Sequence, residues 1–113
     1  MNKDFAEFQK HFKHYQQRFG LTGYKVYFKY EPSKDVFASI TVTHREMVAT
    51  VTLNSELPDK DKPFKNVKRD AKHEALHLLL MRLEQAGCRR YVAEDEIYEA
   101  TEELVFKLEE LIE

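Results

Sequence analysis

Residues 72–83 read KHEALHLLLMRL. Within them, residues 75–81, ALHLLLM, are apolar on nearly every side of a helix, so the segment must pack against more than one neighbour. His73, Glu74 and His77 sit inside this apolar run. A buried polar group left without a partner costs roughly 1–3 kcal/mol. A surface helix could carry two imidazoles and a carboxylate for nothing, whereas a central helix has to account for them. The helix is predicted to start between Pro63 and Asn66 and to run to about Ala86, with Gly87 as its C-terminal stop.

Upstream, residues 21–53 change to a period of two. Tyr24, Val26, Phe28 and Tyr30 alternate with Lys25, Tyr27 and Lys29, and Pro32 closes that strand. Val36, Ala38, Ile40 and Val42 form a second alternating set. After the polar turn His44-Arg45-Glu46, Met47, Ala49, Val51 and Leu53 form a third. Three strands follow, the last two a hairpin, with one apolar face to be covered by helices. Residues 4–19 place Phe5, Phe8, Phe12, Tyr15 and Phe19 at helical spacing, with Asp4 as the expected cap and Gly20 as the end. His11, His14 and His44 read as surface, boundary or turn residues.

Downstream, a short connection leads to a last helix. Glu94, Asp95 and Glu96 favour its positive N-terminal end. Ile97, Thr101, Leu104, Leu108 and Leu111 supply its expected packing stripe. The order is helix, three-stranded antiparallel sheet, histidine-bearing helix and C-terminal helix. That is an α+β arrangement in a single domain, residues 1–113.

Composition narrows the function classes. At 113 residues and 42% hydrophobic content the chain supports one core. A net charge of −2 leaves no electrostatic footprint for nucleic acid or an anionic membrane. Cys88 is the only cysteine, so neither an intramolecular disulfide nor a CxxC pair exists, which fits a reducing compartment. The N-terminal stretch is too charged for a signal peptide and no apolar run reaches membrane-spanning length. The expected location is cytoplasmic.

HEALH is an HExxH pattern. Positions i and i+4 share a helix face, so His73 and His77 can hold one metal ion at ~2.0–2.1 Å per nitrogen. Glu74 is rotated off that line, where it can reach an attacking water without ligating the metal. Zinc lowers the pKa of such a water to about 7 and a glutamate can take its proton. A catalytic zinc usually has a third protein ligand. It is not in the extended HExxHxxGxxH pattern, because Leu80 and Leu83 stand where a glycine and a histidine would be. If the last two helices are antiparallel, His77 faces roughly residue 103, and Glu94 and Glu96 lie several turns away. Glu99, Glu102 and Glu103 remain. Glu102 lies on the flank of the packing stripe and is the expected ligand, with Glu103 and Glu99 as reserves. Tyr91 and Tyr98 are near enough in sequence to stabilise an oxyanion, but both read as packing residues.

On HEALH and the glutamate-bearing last helix, EATEELVFKLEELI, the chain resembles the zincin superfamily of metallopeptidases, in particular a minimal glutamate-ligand form of phage or bacterial type. The resemblance implies a Zn²⁺ held by His73, His77 and a glutamate of that helix, with Glu74 as general base. It implies hydrolysis of a protein or peptide substrate, which could add as a strand to the sheet edge beside the site, either residues 36–43 or residues 47–53. The alternative is a non-catalytic zinc-containing module that docks another protein. Glu74 separates the two, since a purely structural site has no use for a base.

Overall fold

The computed structural model describes residues 2–88 and 93–113. It contains α1 (Lys3–Arg18), β1 (Lys25–Glu31), β2 (Ala38–Thr43), β3 (Val48–Asn54), α2 (Val67–Gly87) and α3 (Glu94–Leu111), with short 3₁₀ turns at His44–Glu46 and Lys62–Phe64. The protein is thus α+β, with three helices and one three-stranded sheet among the described residues. None of the helices is long and apolar enough to cross a membrane.

The sheet is mixed, and this corrects the antiparallel expectation. Its order is β1-β3-β2. β2 and β3 form the expected antiparallel hairpin, with Ile40 opposite Val51, while β1 pairs parallel to β3, with Phe28 opposite Val51. Period-two alternation assigns each side chain to a face but carries no information about which strand is the neighbour. The connection decides it. Residues 32–37 carry the chain from β1 across the end of β3 to its far side, leaving a slot that β3 then fills. Buried Asn54, the last residue of β3, pins this crossing. Its Nδ2 donates to the carbonyls of Ser33 and Val36, and its Oδ1 accepts from the Ser33 and Glu56 amides.

Alternation does place the faces as expected. Ala38, Ala49, Val51 and Leu53 are buried on one side, with Val26, Phe28, Ile40 and Val42 packed around them. α1 covers this face through Phe8, Phe12 and Tyr15, which are fully buried, and both phenylalanines meet Phe28 edge-on. α2 adds Ala71, Ala75 and Leu78 to the same core.

Two details of the helices differ from expectation, the cap of α1 and the packing face of α3. Asn2, not Asp4, caps α1, accepting from the Phe5 amide, and Asp4 pairs instead with Lys65. Gly20 does end that helix, at φ +73°. Gly87 is the last residue of α2 and Cys88 caps it. Gly87 lets α3 approach closely: a Cβ there would lie 3.1 Å from Ile97 Cδ1, which would have to shift by a few tenths of an ångström. Finally, α3 packs through Thr101, Val105 and Glu109, while Leu104 and Leu111 are 41% and 77% exposed. The expected stripe was therefore rotated. Its leucines fall partly on the outer side because α2 presents polar as well as apolar groups to α3.

Candidate metal centre

α2 begins cleanly because Asn66 caps it, its Oδ1 accepting from the Arg69 amide. From that start, one face carries Ala71, Ala75 and Leu78 into the core while the next carries Asp70, His73, Glu74 and His77 toward α3. Between α2, α3 and β2 lies a cleft of about 560 Å³, lined by those four residues, by residues 36–40, and by Tyr98, Glu102, Phe106 and Glu109 among others.

Three donor atoms converge there. His73 Nε2 and His77 Nε2 lie 3.2 Å apart, and Glu102 Oε1 is 3.6 Å from His73 Nε2 and in direct contact with His77 Nε2. Donors around a tetrahedral ion with ~2.0–2.1 Å bonds are separated by about 3.3 Å. The two separations from His73 bracket that value, and the Glu102–His77 contact is tighter, as in a hydrogen-bonded pair. Two imidazoles and one carboxylate form a donor set suited to zinc and its first-row neighbours. His73, His77 and Glu102 can therefore hold a metal ion.

A fourth residue, absent from the sequence reading, strengthens this fit. Glu109, 7% exposed, has its Oε2 2.6 Å from His73 Nδ1. A carboxylate can only accept there, so the ring proton sits on Nδ1 and the Nε2 lone pair points at the cluster. Carboxylate partners of this kind orient metal-binding histidines. The signal was present in the sequence, since Glu102 and Glu109 are seven residues apart and share a helix face. The other candidates separate cleanly. Glu103 is exposed and pairs with Lys107 at 2.8 Å, and Glu99 is exposed on the same outer side. Tyr98 lines the cleft although 55% exposed, which corrects its reading as a packing residue. Tyr91 lies outside the described residues.

The electrostatics reflect crowded acids in a half-dry site. Burial, then the charges of Glu102, Asp70 and Glu109, push Glu74 up to about 8. It is 6% exposed, and among the described residues no hydrogen bond holds its carboxylate. Asp70 rises to about 6, chiefly through burial, and its Oδ2 has no partner. Burial lowers His77 despite the neighbouring Glu102, which favours the neutral imidazole that a metal requires. Tyr98 is raised by burial and then by Glu102, Glu84 and Glu74, so its phenol keeps its proton and remains a donor. Comparison with known proteins adds no relative: no family model, curated protein or solved structure matches the chain.

Proposed function

We propose that this protein is a zinc-dependent peptidase, with His73, His77 and Glu102 as the zinc ligands and Glu74 as general base. The observation that carries the reading is Glu74 itself: a largely buried carboxylate, with no hydrogen-bond partner among the described residues, facing the same cleft as the three converging donors. A metal site serving only as a scaffold gains nothing from so costly a neighbour. The resemblance to glutamate-ligand zincins, on HEALH and the last helix, is of a piece with this reading.

When bound, the zinc supplies Lewis acidity, polarising a carbonyl and bringing the pKa of water at the site to about 7. The chain's own residues do the rest. Glu109 holds the His73 ring in the tautomer that presents Nε2. Glu74 accepts a proton from the attacking water and delivers it to the leaving amine. Its affinity for that proton is high first because burial disfavours its negative form and then because Glu102, Asp70 and Glu109 repel it; a bound cation would offset those charges and favour ionisation. The Tyr98 hydroxyl, on the lining of the cleft, is a candidate donor to the oxyanion that develops on the carbonyl. Of the two strands considered for substrate pairing, β3 is central and fully paired, so β2 is the one with a free edge beside the cleft. An extended peptide adding to β2 would run past the histidines.

The test is Glu74→Gln in zinc-loaded protein, assayed on an unstructured polypeptide. Zinc stoichiometry is expected to stay at the wild-type value while turnover falls by roughly 10²–10⁴-fold. Equal turnover in the variant and wild type would sink the peptidase reading. Loss of zinc from the variant would make Glu74 a ligand and remove the base.

A further inference from the structure

A second cavity lies away from the metal cleft, and its lining has the opposite chemistry. It measures about 530 Å³ and sits between the β2–β3 turn, the start of β1 and the last turns of α2. Arg45, Arg82, His44, Gln85 and Tyr24 line it together with Met47 and Ala86, and no carboxylate does. Both arginines are exposed, and neither joins an ion pair among the described residues.

His44 fixes one wall of the cavity. Its Nδ1 lies 3.0 Å from Tyr24 Oη, tying the β2–β3 turn to the start of β1. The donors that line the cavity are two guanidinium forks and the Gln85 amide. Guanidinium groups match the geometry of oxyanions, pairing with two oxygens at once.

We propose that this cavity is an anion-binding site for a phosphate group, with Arg45 and Arg82 as the charged clamp and the Gln85 amide as a neutral donor. Phosphate is favoured over a lone carboxylate because two separate forks need more than one pair of oxygens to be satisfied. Tyr24 and Met47 supply an apolar wall large enough for an organic substituent on that phosphate. The site does not depend on the metal centre, whose histidines lie on a different face of α2.

The experiment is a titration of the full chain with inorganic phosphate and with phenyl phosphate, read by NMR at the His44 ring and the Arg82 side-chain N–H, with sodium chloride matched for ionic strength. Reading at His44 separates this site from any anion bound at His73 and His77. Saturable shifts with a Kd of about 1 mM or tighter are expected in wild type. They should weaken at least about tenfold in Arg45→Ala/Arg82→Ala, and partially in Arg82→Lys, which keeps the charge but loses the fork. Tighter binding of phenyl phosphate would identify an organic phosphate as the occupant, and equal binding would identify the free ion. Shifts no larger than those caused by chloride, or unchanged in the double variant, would overturn the proposal. Circular dichroism of the double variant guards against loss of fold as the cause.

Discussion

The two faces of α2 follow different rules. On one, Ala71, Ala75 and Leu78 meet the sheet and α1, and what matters is volume and shape. On the other, Asp70, His73, Glu74 and His77 meet α3 and the cleft, and what matters is whether each polar atom has a partner. The apolar face stabilises the fold whether or not a ligand is present. The polar face does the opposite, since burial there disfavours the ionised forms of Asp70 and Glu74 and the charged form of His77. One helix therefore carries both an apolar face that stabilises the fold and a polar face whose charged states are costly.

That contrast can be broken at single residues. The largest effect is expected from His77→Ala, which removes one of three converging donors and should abolish stoichiometric zinc uptake, measured by metal analysis after reconstitution. Its effect on the unfolding free energy of the metal-free protein should be smaller, because His77 packs among polar groups of the cleft and not in the apolar core. Leu78→Ala is the mirror image. Leu78 is 2% exposed, and truncation should cost about 2–5 kcal/mol in urea unfolding while leaving zinc stoichiometry at the wild-type value. If His77→Ala destabilises the metal-free protein as much as Leu78→Ala does, the two faces are not functionally distinct.

Glu109→Gln should have a smaller effect. The amide cannot replace the charge that orients His73, and zinc affinity is expected to fall by roughly 10–100-fold in a competition titration with a chelator. An unchanged affinity would reduce Glu109 to a packing residue.

The smallest effect concerns Asp70. Burial pushes Asp70 up to about 6, above the 3.8 of an unperturbed aspartate, so the native state binds its proton more tightly than the unfolded chain does. Below both values the group is protonated in either state and imposes no penalty. As pH rises from about 4 to about 6 stability falls, and above that the loss is complete. Asp70→Asn should therefore stabilise the metal-free protein by about 1 kcal/mol at pH 7 and by almost nothing at pH 4, a figure reduced to allow for the group's partial exposure. Equal effects at both pH values would mean that the ionised carboxylate is not the source of the cost.

Much of the site was legible because a helix converts spacing into geometry. HEALH alone puts His73 and His77 on one face, and counting levels across an antiparallel helix pair selects Glu102, which meets both histidines. That count worked although Leu104 and Leu111 of the expected stripe face outward, because Glu102 flanks the buried Thr101 and Val105 as well. Glu109 was missed because a seven-residue spacing marks a shared helix face but not a partner, and its contact with His73 Nδ1 supplies the partner. Tyr98 was set aside for the same reason: from sequence, a cleft-lining tyrosine and a packing tyrosine look alike.

The sequence by itself determined the element types, the apolar face of each strand and the pairing of the two histidines, because each of these is set by local periodicity along the chain. Only the tertiary structure decided that β1 runs parallel to β3, that β2 is therefore the free edge beside the cleft, and that Glu109 and the His44 cavity exist. These depend on where the 32–37 crossing lands and on which side chains meet across elements far apart in sequence, and no local period encodes such meetings.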